Sequence, residues 1–278
     1  MTRRRLDAEL VRRGLARSRA EAREAVEAGI VRVAGVVASK PATMVADDAP
    51  IALLGESRPF VSRAGSKLDG ALDRFGVDPT GCLCLDAGAS TGGFTDVVLR
   101  RGAARVLAVD VGYGQLAWKL RSDPRVTVFE RTNVRDLTPD DLPALVDLVV
   151  ADLSFISLRV VLPVLRALAT PTAPMVVLVK PQFEAGKGVV GSGGVVRDPD
   201  VWERVLDDVV ATAATLGLGA LAAMASPLLG PAGNVEFLLH LAPGSAGGAD
   251  LAAALAEGAA MRSWAALRSS CTRAGRRR

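Results

Sequence analysis

Two charged residues stand where buried strands of a predicted sheet end, and they could move a proton there. Asp152 follows the apolar run 147–151, and Lys180 follows the apolar run 175–179. Both runs are continuously apolar, which is typical of parallel strands covered by helices on both faces. Because the carboxyl ends of parallel strands share one edge of the sheet, we expect the two side chains to lie close together.

Lys67 and Glu236 should reach the same edge, the first at the start of a helix and the second near the start of an antiparallel last strand. Only five of the 34 basic residues are lysines, so a lysine indicates a site where arginine would not serve. A lysine can accept a proton when burial or a neighbouring cation lowers its pKa, whereas an arginine stays protonated. We expect Lys67 to be that neighbouring cation for Lys180, with Asp152 and Glu236 orienting the two lysines. The only histidine, His240, has apolar neighbours, which disfavours a histidine base. The alternative is a structural network of ion pairs.

A small-residue loop follows the first predicted strand, which ends in Asp86. It leads into a helix predicted over 94–101, and three glycines allow a ligand close to its backbone: Gly88, Gly92 and Gly93. The next apolar run, 105–109, ends in Asp110, 24 positions after Asp86, where a carboxylate can accept hydrogen bonds from a ribose diol. No Gly-Lys-Ser/Thr follows the loop, which argues against a nucleoside triphosphate. NAD and S-adenosylmethionine both remain possible ligands.

Seven apolar runs predict a seven-stranded sheet, at 82–86, 105–109, 126–129, 147–151, 175–179, 218–224 and 235–241. Predicted helices at about 112–120, 158–168 and 200–216 separate them. A short Pro/Gly turn before the last run makes that strand antiparallel. We therefore predict an α/β, Rossmann-like sheet. Asn133, after the third strand, could reach an adenine edge or could be an ordinary turn residue.

Residues 3–57 predict a compact α+β module. Apolar residues at helical spacing, a break at Gly14 and a second helix from Arg19 are followed by two short strands. The run Arg-Leu-Asp-x-x-Leu-Val-Arg-Arg-Gly-Leu-Ala-x-Ser-Arg, then Glu-Ala-Gly-x-Val-x-Val-x-Gly, closely resembles the S4 RNA-binding domain. The resemblance implies a structured RNA partner, held mainly through its phosphates. The arginines expected to contact it are Arg4, Arg12, Arg13, Arg17, Arg19 and Arg23.

The second domain also resembles a known family. The Lys-Asp-Lys-Glu set beside Asp-x-Gly-x-x-x-Gly-Gly-Phe-Thr is similar to the FtsJ-type ribose 2′-O-methyltransferases. With the S4 module, Arg-Thr-Asn at 131–133, Ala-Asp-Leu-Ser-Phe-Ile-Ser at 151–157 and Lys-Pro-Gln-Phe-Glu at 180–184, the chain to about residue 242 resembles the TlyA family of rRNA cytidine 2′-O-methyltransferases, also known as haemolysins. No metal site is implied.

This resemblance implies S-adenosylmethionine as cofactor and rRNA of the 30S and 50S ribosomal subunits as partner. The catalytic set is expected to be Lys67, Asp152, Lys180 and Glu236. The cofactor is expected to contact Asp86, Gly88, Ser90, Thr91, Gly92, Gly93, Phe94, Asp110, Asn133 and Asp152. Lys187, in a glycine-rich loop after Lys180, could touch a phosphate. The expected divisions are an S4 domain at 1–57, a linker at 58–61, the methyltransferase domain at 62–242 and a C-terminal helix and basic tail at 243–278.

Composition limits the remaining function classes. The net charge is only +4, but residues 1–40 and the last 17 residues are rich in arginine, which suggests a polyanionic partner. Three cysteines indicate neither a disulfide framework nor a zinc site, and no secretory signal or spanning segment is expected, so a cytoplasmic protein is predicted. The competing hypotheses are an NAD dehydrogenase, a membrane-active haemolysin and a non-catalytic RNA-binding protein on a methyltransferase fold. The sequence predicts no oligomeric state.

Overall fold

The structure, a computed structural model, describes residues 3–16, 18–27, 29–53, 60–186, 188–191 and 193–274, with side chains as far as residue 264. The chain divides into two compact units, Met1–Pro59 and Phe60–Arg278. Within the described residues, no helix combines the length and the apolar character needed to cross a membrane.

The first unit is a small α+β module. Its elements are β1 (Arg3–Arg5), α1 (Leu6–Arg12), α2 (Arg19–Glu27), β2 (Val31–Val33), β3 (Val36–Val37), β4 (Met44–Ala46) and β5 (Ile51–Leu53). β1 pairs antiparallel with β4, and β2 is the central strand between β3 and β5. Leu6, Leu10 and Val26 are buried from the two helices against Val31 of β2. The sequence predicted both helices, β2 and β3, but not the three-residue strands β1, β4 and β5, which are too short to show an alternating pattern.

The second unit is a doubly covered α/β sheet. Its elements are α3 (Arg63–Phe75), β6 (Leu83–Ala87), α4 (Gly93–Arg100), β7 (Arg105–Val109), α5 (Trp118–Arg121), β8 (Val126–Phe129), β9 (Leu148–Ala151), α6 (Leu158–Ala167), β10 (Met175–Val179), α7 (Pro181–Glu184), α8 (Pro199–Thr215), β11 (Leu218–Ala225), β12 (Phe237–Pro243) and α9 (Leu251–Ala274). The strand order is β11-β12-β10-β9-β6-β7-β8. β12 runs antiparallel to both of its neighbours, so the predicted fold class is confirmed.

Successive residues of each strand enter different cores because strand side chains alternate between faces. Val149 packs in the cluster that contains α6 and α8, whereas Val150 packs in the cluster that contains α3 and α4. Both positions are fully buried, which explains why these strands appear as unbroken apolar runs in the sequence.

The chain order creates a crevice between β6 and β9. From β6 the chain adds β7 and β8 on one side, and then crosses back to place β9 on the other side of β6. Ala87 and Ala151 are register partners at the carboxyl ends of these strands. Ligands of open α/β sheets bind at such a reversal of strand order.

Two helix boundaries differ from the sequence prediction, and both affect this crevice. α3 begins at Arg63, so Lys67 lies in its second turn. The helix predicted over 112–120 is confined to Trp118–Arg121. Gly114 has a φ of +68°, which is incompatible with a right-handed helix, and the backbone N–H of Gly112 donates to the Asp110 carboxylate instead.

Candidate active site

The glycine loop between β6 and α4 is built tightly against β9. Gly88 has a φ of +89°, and a Cβ there would lie 2.6 Å from the carbonyl oxygen of Asp152. At Gly93 a Cβ would collide with the Ser62 hydroxyl, and at Gly92 with the side chains of Leu116 and Leu120. Glycine is therefore required at these positions by close packing of the loop on the second unit's own backbone and side chains.

Asp110, at the end of β7, orders the outer side of this loop. Its carboxylate accepts hydrogen bonds from the backbone N–H of Ser90 at 2.8 Å and of Gly112 at 2.7 Å. Ser90 adopts a φ of +48°, a conformation that non-glycine residues rarely adopt. The Asp110 carboxylate, predicted to lie at the end of this strand, is therefore held there by two backbone N–H donors.

A cavity of about 530 Å³ opens beyond the ends of β6, β7 and β9. Predicted cofactor residues on its wall are Gly88, Ser90, Asp110, Asn133 and Asp152. A smaller cavity of about 150 Å³ shares Gly88, Ser90 and Asp152 with it, and adds Thr91, Gly93, Phe94 and Lys180. The two cavities form one crevice, whose larger part lies within the ~300–1,000 Å³ typical of small-molecule sites.

Three predicted cofactor residues have surroundings that the sequence did not indicate. Asn133 lines the cavity, and its side-chain oxygen also accepts a hydrogen bond from the Arg135 backbone N–H. A contact with adenine and a role as a turn residue, the two alternatives from the sequence, are therefore compatible. Gly92 begins α4 against Leu116 and Leu120 and does not line either part of the crevice. The Phe94 side chain is buried among the core residues of α3 and α4.

Asp86 lies behind the loop, fully buried. One carboxylate oxygen accepts a hydrogen bond from the Thr95 hydroxyl at 2.6 Å, and the other has no hydrogen-bond partner among the described residues. Burial raises the pKa of Asp86 to about 7, with smaller contributions from the negative charges of Asp152 and Asp110. Asp86 does not line either part of the crevice.

Lys180 and Asp152 form an ion pair on the crevice wall. Lys180 Nζ lies 2.6 Å from Asp152 Oδ1 and donates a hydrogen bond to the Ser154 hydroxyl at 3.0 Å. The two side chains remain 11% and 16% exposed, so this pair can be reached from the crevice. The Phe183 ring centre lies 5.8 Å from Lys180 Nζ.

Lys67 and Glu236 form a second, more deeply buried pair. Lys67 Nζ lies 2.5 Å from Glu236 Oε2, with side-chain exposures of 9% and 1%. The other oxygen of Glu236 accepts from Gln182 at 3.4 Å, and it abuts Gly230, where no Cβ would fit. The structure thus joins each predicted lysine to one predicted carboxylate.

The antiparallel pairing of β10 and β12 brings the two pairs together. Val179 and Phe237 are register partners. Because the strands are antiparallel, Lys180, which follows Val179, and Glu236, which precedes Phe237, lie at the same end of the sheet. Gln182 then connects the segment after Lys180 to Glu236. His240 lies inside β12 and stacks on Phe75 at 5.9 Å, and burial lowers its pKa.

Several residues of this site were not identified from the sequence. Ser154 accepts a hydrogen bond from Lys180, and Gln182 donates one to Glu236. Ser62 lines the smaller part of the crevice together with Lys180. Phe155 is 91% exposed, has a φ of +64° and lies with its ring centre 5.1 Å from that of Phe183. Ser154, Phe155 and Gln182 fall within the quoted family motifs, so those motifs were the available signal. Among the described residues, no group of three or more His, Cys, Asp or Glu is arranged to hold a metal ion.

Two groups of arginines in the first unit surround buried carboxylates of α1. Glu9, fully buried, accepts from Arg12 and Arg13, and Arg4 lies 3.9 Å away. Arg13 also donates to the Ala49 carbonyl at 2.7 Å, and its side chain is only 22% exposed. Arg13, predicted to contact RNA, is therefore largely occupied by contacts within the unit.

Asp7, also fully buried, accepts from Arg5 and Arg19. Arg5 was not among the predicted RNA contacts. It is the last of three consecutive arginines, and nothing in the sequence shows which of the three contacts Asp7. Arg23 is exposed. Two predicted RNA contacts lie outside the described residues: Arg17 and Lys187.

Comparison with known proteins agrees with this architecture. The FtsJ-like methyltransferase family model matches residues 60–242, and the S4 domain model matches residues 4–50. Over 238 residues, the chain is 58% identical to the 16S/23S rRNA (cytidine-2′-O)-methyltransferase TlyA of Mycobacterium tuberculosis, covering 85% of this chain and 89% of that protein. It is 38% identical to Hemolysin A of Brachyspira hyodysenteriae, covering 85% of this chain and 98% of the relative. A solved structure of a candidate hemolysin from Streptococcus thermophilus matches with a TM-score of 0.76 and 38% identity, covering 97% and 99% of the two chains.

A seven-stranded sheet with an antiparallel β12, a glycine loop after β6 and a crevice at the strand ends define the class: a methyltransferase with the Rossmann-like fold. An S4 domain precedes it in the chain. The chain belongs to the FtsJ-like methyltransferase family, and within it to the TlyA proteins.

Proposed function

We propose that this chain transfers a methyl group from S-adenosylmethionine to the 2′-hydroxyl of a cytidine in 16S or 23S rRNA, or in both. The TlyA relative from M. tuberculosis, at 58% identity, supports the substrate class. The observation that carries the proposal is the Lys180–Asp152 pair on the same crevice wall as the glycine loop.

The crevice supports S-adenosylmethionine over a dinucleotide. Its larger part carries two carboxylates, Asp110 and Asp152, and one guanidinium, Arg135. A sulfonium cofactor is positively charged and is favoured by such a wall, whereas the pyrophosphate of NAD is repelled by it. Asp110 is proposed to accept hydrogen bonds from the ribose, and Asn133 is proposed to contact the adenine. The residues of the crevice wall proposed to hold the cofactor are Gly88, Ser90, Thr91, Gly93, Phe94, Asp110, Asn133 and Asp152, whereas Asp86 and Gly92 would support the loop from outside the crevice.

When bound, the cofactor supplies an electrophilic methyl group on a positively charged sulfur. Lys180 Nζ would take the proton of the 2′-hydroxyl as that oxygen becomes the nucleophile for the methyl group. Asp152 and Ser154 orient Lys180 Nζ. Lys67 would add a positive charge at the same end of the sheet, and Glu236 fixes Lys67 in place.

RNA recognition is proposed for the first unit. Residues 1–57 would act as the S4 domain, joined by a linker at 58–61 to a methyltransferase domain at 62–242, with a C-terminal helix and basic tail at 243–278. Arg4, Arg12, Arg19 and Arg23 are exposed and can meet phosphates, whereas Arg13 is mostly occupied. Lys187 and Arg17 are proposed on the sequence alone.

The test is transfer of radiolabelled methyl from S-adenosylmethionine to unmethylated 30S and 50S subunits, followed by nuclease mapping. Label in 2′-O-methylcytidine supports the proposal. Lys180→Ala should abolish transfer while cofactor binding, measured by calorimetry, remains. Lys180→Arg is the matched control: it keeps the charge but cannot act as a base, so it should be equally inactive. Normal transfer by Lys180→Arg would exclude Lys180 as the base. Absence of label with the wild-type chain, despite cofactor binding, would contradict the proposed substrate.

A further inference from the structure

Asp7 has surroundings that point to a role in RNA binding beyond holding α1 together. It is fully buried, on the first turn of the helix, and accepts a hydrogen bond from its neighbour Ala8 at 2.8 Å. Burial of a carboxylate is unfavourable, and it is compensated here by two guanidinium groups from separate elements. The Arg5 hydrogen bond lowers the pKa of Asp7 to about 2, burial opposes it, and Arg19 adds to the lowering. The side chain is therefore an anion at any physiological pH.

The two arginines use only part of their donor capacity on Asp7. Arg5 donates through Nε and Nη2, at 3.1 and 2.9 Å, while Arg19 donates through Nη2 alone, at 3.4 and 3.2 Å to the two oxygens. A guanidinium group has five N–H donors, so both groups keep donors for an outside anion. Their side chains remain 43% and 58% exposed.

The Glu9 cluster on the same helix provides a contrast. Arg13 donates to Glu9 and also to the backbone carbonyls of Ala49 and Asp47. Its side chain is only 22% exposed. Among the described residues, neither arginine of the Asp7 cluster donates to a backbone carbonyl. In the Glu9 cluster, Arg13 is therefore occupied within the unit while Arg4 and Arg12 remain 51% and 49% exposed. In the Asp7 cluster, both arginines remain exposed.

We propose that Asp7 is a positioning residue for RNA binding: it holds Arg5 and Arg19 side by side as one site for RNA backbone phosphates. The inference rests on the RNA binding proposed above for the S4 domain. Arginine side chains that are ordered before binding lose less conformational entropy when a phosphate arrives, and a fixed pair also selects the spacing of phosphates.

The proposal makes a prediction opposite to simple charge attraction. Asp7→Asn keeps the shape of the side chain and makes the unit more positive by one charge, which alone should strengthen binding to RNA. If Asp7 positions Arg5 and Arg19, the same change weakens binding of the full chain to the 50S or 30S subunit about tenfold and makes the salt dependence shallower by about one phosphate contact. Glu24→Gln, an equal charge change at an exposed position, is the matched control and should bind as tightly as the wild type or more tightly.

Two further measurements separate positioning from folding. Thermal unfolding shows whether Asp7→Asn folds. If it does not, Arg5→Lys keeps the net charge and leaves Asp7 in place, but a lysine cannot make the two-pronged contact, so it should weaken binding similarly. In an Arg5→Ala/Arg19→Ala background, Asp7→Asn should have no further effect on affinity. Wild-type-like binding by Arg5→Lys, or a folded Asp7→Asn that binds like Glu24→Gln, would overturn the inference. If the wild-type chain itself did not bind rRNA, the proposed function would fail instead.

Discussion

Removing the charge of Asp86 should stabilise the cofactor-free protein against unfolding at neutral pH. Asp86 is fully buried, and one of its oxygens has no hydrogen-bond partner among the described residues. Asp86→Asn is nearly isosteric. The amide oxygen can still accept from the Thr95 hydroxyl, while the amide nitrogen takes the place of the unpartnered oxygen.

The sign and size follow from the raised pKa. Because the folded state binds this proton more tightly than the unfolded state, the free energy of unfolding falls as pH rises from about 4 to about 7. The difference between the ordinary pKa of 3.8 and about 7 corresponds to at most about 4 kcal/mol above pH 7. Relaxation of the loop reduces this, so we expect a gain of about 1–4 kcal/mol for Asp86→Asn at pH 8, and much less at pH 5, where the wild-type carboxyl is mostly protonated.

The assay is thermal unfolding of the wild type and the variant between pH 5 and pH 8, without cofactor. The melting temperatures should diverge as pH rises. Asp123→Asn is the control of opposite sign, because hydrogen bonds from Arg125 lower the pKa of Asp123 and its charge is stabilising. The reasoning would be refuted by an Asp86→Asn variant that melts below the wild type at pH 8, or by an equal difference at both pH values.

Three other outcomes are expected. Glu236→Gln should destabilise the second unit by about 3–5 kcal/mol in urea unfolding, because it leaves Lys67 buried without its counter-ion. Replacing both residues by apolar ones should recover most of the lost stability. Absence of any recovery would contradict this explanation. Gly88→Ala should reduce cofactor affinity in calorimetry at least tenfold, because its backbone has a φ of +89° and its Cβ would meet a carbonyl oxygen; unchanged affinity would show that the loop adapts. The first unit should lose stability as pH falls from about 5 to about 2, since the pKa values of Asp7 and Glu9 are both lowered to about 2; far-ultraviolet circular dichroism that stays constant to pH 2 would be inconsistent with this.

Much of the second unit could be predicted because its signals are local. Each central strand is a run of apolar residues, and the loop after β6 has Gly88 where its backbone meets Asp152. The limits of helices were less predictable. The segment after Asp110 has helix-forming residues, yet Gly114 and the donor contact of Gly112 to Asp110 prevent a helix before Trp118.

The pairing of charges could not be predicted at the same level. Lys67 and Glu236 are 169 positions apart, and only the sheet order places them in contact. The sequence suggested that Lys67 would act on Lys180 directly; the structure gives each lysine its own carboxylate. In the first unit, composition cannot distinguish Arg13, which is 22% exposed, from Arg5, which is 43% exposed.

The sequence by itself determined the class of fold, the family and the edge of the sheet where the chemistry lies, because strand periodicity, glycine turns and motif spacing depend on neighbours along the chain. Tertiary structure alone decided which carboxylate each cation contacts and how much solvent reaches it. Those properties depend on distance and burial between segments far apart in sequence, and Coulomb attraction and desolvation act only on the folded arrangement.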